Sequence, residues 1–430
     1  MLPQMQLNLY PEHDKPTNSD TTSTFSDNLS LPIHRWFRYS AGFSATWVRE
    51  VIQREKAEGK TRVLDPFAGS GTVLLEGESC AVEAIGVEAH PFVARVARAK
   101  LHWRENPHSF LEFSLAVLER ARRYKTANAS YPPLIQKCYP PETLGRLDRL
   151  HRACRESMDG SPSSDLAWLA LASILRECSP VGTAQWQYVL PNKSKAKPLD
   201  PFEAFHSKVH LMGHDMANRQ KSVRGPKARL YQEDARDCSS VPDGWAQLVV
   251  TSPPYANNYD YADATRLEMT FFGEVHGWGD LQQVVRTYLV RSCTQHVAGL
   301  NGQVKTIINA PHLEPIQKEL IPTCEALELE RGKHGGKKAY HTMIAAYFSD
   351  MAEVWRALRR ATCRNCLVCF VVGDSAPYGI YVPVDKWLGT LAVAAGFRRY
   401  TFEKTRERNI KWKNRKHRVP LHEGRLWIEG

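Results

Sequence analysis

Val249-Val250-Thr251-Ser252-Pro253-Pro254-Tyr255 is an apolar run that ends in a rigid, polar-tipped turn with an aromatic beside it. Two successive prolines fix φ and carry carbonyl oxygens without N–H groups, so hydrogen-bond acceptors are concentrated at one point. The Ser252 hydroxyl adds another, and the Tyr255 ring offers a face on which a flipped-out base could stack. That combination suits chemistry on a planar exocyclic amine, whose lone pair is delocalised into its ring. If Ser252 and the Pro253 carbonyl both accept its N–H groups, the nitrogen pyramidalises and its lone pair is freed for in-line attack, with no covalent intermediate and no metal. A proline-rich loop after a strand is the plainer reading of the same residues, and a second motif is needed to choose.

Arg62-Val63-Leu64-Asp65-Pro66-Phe67-Ala68-Gly69-Ser70-Gly71-Thr72 supplies it. A short strand runs into a glycine turn, where Gly69 and Gly71 let backbone approach a small ligand closely, and Thr72 is placed to cap the helix Val73 to Cys80. A lone G-x-G is a weak signal, and the sixth position of a G-x-G-x-x-G dinucleotide fingerprint is Leu74 here. Ala84-Ile85-Gly86-Val87-Glu88 follows as a second strand with an acid at its carboxyl end, where ribose hydroxyls are held in open α/β sheets.

Taken together, DPFAGSGT, Glu88 and TSPPY resemble the S-adenosylmethionine-dependent DNA amino-methyltransferases, which act on N4 of cytosine or N6 of adenine. The resemblance covers about half of the chain and implies an α/β fold, a Rossmann-like seven-stranded methyltransferase sheet, with a helical insertion. It assigns the cofactor S-adenosyl-L-methionine to Phe43, Ser44, Asp65, Pro66, Phe67, Gly69, Gly71, Thr72, Glu88 and Asp234, and methyl transfer to Ser252, Pro253, Pro254 and Tyr255. Serine at the first position of the Pro-Pro turn leans to cytosine N4; adenine N6 keeps the same mechanism. RNA methyltransferases of this kind usually carry an acid at that position, and a catalytically silent DNA-binding module would not need both turns intact. A carbon-5 methylase needs a cysteine after a proline, and no Pro-Cys pair occurs. The glycine turn precedes TSPPY here, the reverse of many cytosine-N4 enzymes with TSPPY. Double-stranded DNA is the implied partner, and a cognate restriction endonuclease the implied companion.

A net charge of +11 over 430 residues favours a polyanionic partner through counterion release. No apolar run reaches bilayer length and no signal pattern opens the chain, so a cytoplasmic protein without membrane contact is expected. Ten scattered cysteines suit a reducing compartment. Cys363, Cys366 and Cys369 lie in a strand-like run with no fourth ligand nearby, so no metal is expected.

The positioning elements follow in order. Residues 1–30 read as a flexible polar arm. Residues 31–105 and 226–430 read as the catalytic domain, with a helix from Ser44 to Lys56 capped by Ser44 and another from Pro91 to Trp103. Residues 106–225 read as an inserted helical region with a DNA-recognition role, ending in Gln185-Trp186-Gln187-Tyr188 beside a basic run. Lys193, Lys195, Lys197, Arg224 and Lys227 are the phosphate-contact candidates there. Further on, 282–297 and 340–359 read as helices, with 331–338 a glycine- and lysine-rich loop between them. The tail reads as strand 367–372, helix 385–395, strand 398–403 and a closing strand pair at 418–419 and 426–428.

Overall fold

The computed structural model describes residues 25–125, 130–183, 188–194, 197–300, 302–408 and 419–430. Short apolar runs form the strands β1 (Arg62–Asp65), β2 (Glu83–Val87), β5 (Arg229–Tyr231), β6 (Ala246–Thr251) and β7 (Thr362–Gly373). These five are parallel, and β8 (Arg399–Arg408) and β9 (Leu421–Glu429) add an antiparallel hairpin. The seven-stranded sheet runs in the order β5-β2-β1-β6-β7-β9-β8. From β1 the chain builds outward to β2 and β5 on one side and returns to β6 and β7 on the other. A crevice opens at such a reversal, outside the carboxyl ends of the strands.

Alternation along the strands divides the core in two. Val63, Ala84, Leu248 and Val250 face the helices Ala45–Ala57, Thr72–Ser79 and Pro91–Leu101. Leu64, Ile85, Val87 and Val249 face the other layer, built from Glu314–Lys333, Tyr340–Ala361 and Val384–Ala394. Trp355 stacks on Phe370 at 4.3 Å in that second layer. Burial on both faces accounts for the unbroken apolar character of the central strands.

Between β2 and β5 the chain carries the helices Pro107–Arg123, Pro133–Cys138, Pro141–Ser157, Pro162–Ile174 and Pro201–Ser222, each with proline at its first turn. Proline's fixed φ suits that position, and Asn106, Ser161 and Asp200 cap three of these helices with side-chain oxygens. Phe110, Leu147, Leu166 and Phe205 join one continuous core with Phe92 and Trp103 of the sheet-covering layer. Phe92 meets Trp168 edge-on at 5.5 Å.

Several expectations are corrected. Thr72 is the first helical residue and caps nothing; the cap position is Gly71, in the left-handed region at φ 88°. The insertion also contains a two-stranded ribbon, β3 (Val181–Thr183) with β4 (Val189–Ser194). Residues 282–297 are broken into short turns around Leu281–Val284, Arg286–Tyr288 and Thr294–Leu300. Arg331 to Lys333 belong to a helix, Glu314–Lys333, and not to a loop. The arm ends earlier than residue 30: Asn28 is buried, donates to the Phe43 carbonyl at 3.0 Å and accepts from the Ala45 N–H at 2.8 Å. Residues 1–24 and Arg418 lie outside the described residues, and β9 pairs with β8. Among the described residues no helix is long and apolar enough to cross a membrane.

Candidate functional site

A cleft of about 730 Å³ opens at the carboxyl ends of β1, β2, β5 and β6. Of the residues singled out in the sequence, Phe43, Pro66, Phe67, Gly69, Thr72, Glu88, Asp234, Ser252 and Pro254 line it. Both turns therefore face one space. Ser44, Asp65, Gly71, Pro253 and Tyr255 are not on its wall. Ser44 is buried as the helix cap, accepting from the Trp47 N–H at 3.3 Å, and Phe43 packs edge-on against Trp47.

The glycine turn is shaped by two left-handed residues, Gly69 at φ 52° and Gly71 at φ 88°. The Gly69 N–H donates to Glu88 Oε2 at 2.7 Å, and the His90 N–H donates to Oε1 at 2.8 Å. A Cβ on Gly69 would sit 3.1 Å from the ring of Tyr39, which also lines the cleft. Burial pushes the Glu88 carboxyl up to about 7, against the opposing effect of these backbone donors.

Asp65 lies fully buried at the end of β1, beneath the turn. Its Oδ1 accepts from Thr251 Oγ1 at 2.6 Å and from the Phe67 N–H at 3.0 Å, tying the glycine turn to the strand that carries Ser252. Among the described residues its Oδ2 has no hydrogen-bond partner. Burial raises Asp65 to about 7, and the nearby Glu88 charge adds to the rise.

At the other turn, Ser252 Oγ donates to the Val371 carbonyl at 3.3 Å. The Ser252 side chain also hydrogen-bonds the Tyr255 phenol, so this hydroxyl links β7 to the ring of the same turn. Tyr255 is half-buried, and burial holds its phenol well above the usual range. Next to it, Tyr259 meets Tyr261 edge-on at 4.6 Å and Tyr188 at 5.6 Å. Tyr188, just before β4, accepts the Asp260 N–H at 2.9 Å through its hydroxyl.

Sequence reasoning missed the ion-pair chain on Asp234, which runs through the neighbouring Arg236 to Asp350 on a distant helix. Asp234 lines the cleft with its carboxylate held by Arg236, whose Nε lies 3.0 Å from both oxygens and whose Nη1 bonds Asp350 at 3.1 Å. His90, also on the cleft wall, follows the first motif closely enough that extending it by a few residues finds it; Tyr261, in the polar and aromatic stretch 257–263 expected beside the target pocket, lines the wall too.

The basic candidates are not brought together. Lys193 is exposed on β4, whose ribbon joins the loop after the Ser252 turn through Tyr188; Lys197 is exposed a few residues on. Arg224 and Lys227 flank Gly225, which abuts Glu78 and Ala81 at the amino end of β2, the opposite end of the sheet from the cleft. Arg224 also spends its guanidinium on the Gln220 and Val223 carbonyls. Lys195 and the run 185–187 lie outside the described residues. Among the described residues, one group has metal-ligand types in reach of one another: Asp260, Cys293 and His296. Arg286 already occupies Asp260, at 2.7 and 3.2 Å, so this is a buried ion pair.

The chain is similar to the Type II methyltransferases M.AvaI of Nostoc and of Anabaena variabilis, at 26% identity over 405 residues, spanning 87% of this chain and 81% of theirs. It is similar to the Type II methyltransferase M.BsoBI of Geobacillus stearothermophilus at 24% identity, over 87% of this chain and 80% of that one. No family model and no solved structure matches it.

Proposed function

We propose that this chain is an S-adenosylmethionine-dependent DNA methyltransferase, built on a Rossmann-like sheet, that methylates the N4 amine of a cytosine flipped out of duplex DNA. One observation carries the reading: Ser252 and Pro254 open into the same cleft as Gly69 and Glu88. Methyl donor and acceptor amine would then share one space. Similarity to Type II methyltransferases over 87% of the chain supports the reaction class, and the net charge of +11 suits the polyanion.

The residues present fit such a cofactor. Asp65 Oδ2 is buried without a hydrogen-bond partner among the described residues, and Asp65 and Glu88 are both raised by burial, so a cationic ligand beside them would restore their ionised forms. S-adenosylmethionine supplies a methyl group on positively charged sulfur. The turn from Pro66 to Gly71 gives the close backbone approach, and Glu88 the acceptor for ribose hydroxyls. Asp234 keeps lone pairs for the adenine amine, although Arg236 holds it.

Ser252 acts on the target. Its hydroxyl donates to Val371, and its oxygen is the acceptor for an amine N–H. An acceptor that tightens as the nitrogen pyramidalises stabilises the transition state more than the ground state. The test is single-turnover transfer of labelled methyl to duplex DNA, followed by digestion to nucleosides. Label on cytosine N4 is expected, with the rate falling on the order of a hundredfold in Ser252→Ala while DNA binding changes little. Label on adenine N6 changes the target and keeps the mechanism. Label on RNA alone, or none, refutes the assignment.

A further inference from the structure

We propose that Arg408 is a positioning residue for the target base, holding the Tyr255 ring in the plane against which the base stacks. This rests on the reading of Tyr255 as the stacking surface. Arg408 ends β8, at the far edge of the sheet from the cleft, yet its guanidinium lies 5.3 Å from the centroid of the Tyr255 ring. Among the described residues, Tyr255 pairs with no aromatic ring, so the guanidinium is the planar group set against it.

The reach of this side chain is built into the hairpin. Arg408 Nη1 donates to the Asp374 carbonyl at 2.9 Å, just past the end of β7. Its Nε lies 4.0 Å from Glu423 Oε2 on β9; the carboxylate side chain is 4% exposed and the arginine 16%. Gly373 keeps the path open, because a Cβ there would stand 2.5 Å from Nη1. A carbonyl and a side-chain-free position at the end of β7 and a buried carboxylate on β9 thus converge on one contact to the catalytic turn. A planar guanidinium can lie near a ring while donating in its own plane; a lysine ammonium has no such fork. Fixing the ring before the base arrives spares the ordering that binding would otherwise require.

The experiment uses the full chain, labelled S-adenosylmethionine and mixed-sequence plasmid DNA. Arg408→Met and, separately, Gly373→Ala should each lower kcat/KM for DNA roughly tenfold, the scale of a partly desolvated cation–π contact. Cofactor affinity by calorimetry should not change, and Arg408→Lys should recover only part of the loss. In a Tyr255→Ala background, Arg408→Met should cost nothing more, because a residue that acts through Tyr255 has nothing left to position. Full activity in Arg408→Met, losses that multiply in the double variant, or a parallel fall in cofactor affinity would each overturn the proposal. Full activity in Tyr255→Ala would instead overturn the stacking reading on which it stands.

Discussion

Glu88 and Asp65 sit at the ends of neighbouring strands, and burial raises both carboxyls to about 7 from ordinary values of 4.5 and 3.8. A carboxyl raised by folding favours the folded state most when protonated in both states. Its contribution is complete below the unfolded value and is lost as pH rises through about 7, at about 3 kcal/mol for a shift of this size. Without ligand, then, the wild-type urea midpoint should fall between pH 5 and pH 8 by more than the Glu88→Gln midpoint does, and an equal fall would remove Glu88 as a source. Cofactor affinity should rise over the same interval by more in wild type than in Glu88→Gln, where Asp65 alone still titrates. At this scale the contiguous motifs were readable: Ser252, Glu88 and Gly69 each lie within a few residues of the pattern that marks them. Tyr188 on Asp260 and Arg408 on Tyr255 were not, since chain separation carries no trace of those pairings; Arg236, two residues from Asp234, lay close enough to be read and was overlooked.

The glycine turn depends on how closely β2 approaches the helix Thr72–Ser79. A Cβ on Gly86 would lie 2.9 Å from both Ala68 Cβ and Leu74 Cδ1, one on the turn and one on the helix. Gly86→Ala should therefore push the turn outward, costing about 1–3 kcal/mol of stability by overpacking and weakening cofactor binding in the same variant. Denaturant unfolding and calorimetry read the two effects; a stability loss with unchanged cofactor affinity would show that the turn does not ride on this packing. The central strands were legible because each is an apolar run between polar turns. The helix Glu314–Lys333 was not, because Pro322 lies inside it and a proline within a pattern reads as an end. The β3–β4 ribbon escaped notice because Val189 to Ser194 has only two apolar residues ahead of a polar stretch.

On the scale of the whole molecule, the basic residues fall at two ends of the sheet. Lys193 belongs to the ribbon joined to the cleft side, whereas Arg224 and Lys227 lie at the amino ends of the strands. Neutralising Lys193 and Lys197 should flatten the dependence of log affinity on log salt by about 0.9 for each phosphate they would otherwise neutralise, and neutralising Arg224 and Lys227 should leave it nearly unchanged. The reverse result would place duplex DNA against the other end of the molecule. Charge and composition made a polyanion readable from the sequence, but not where it lies, because neighbours in the chain were separated by the 22-residue helix Pro201–Ser222.

The core shared by the insertion and the sheet-covering helices bears on how this segment could be exchanged. Phe92 and Trp103, in the first half of the fold, are sealed by Trp168 and its neighbours in the inserted segment. The segment is therefore no detachable cassette: excising it, or exchanging it for a stranger, would strip the sheet of its cover. On this packing, substitutions at the exposed faces of its helices are expected to leave the sheet covered, whereas exchange of the whole segment is expected to uncover it.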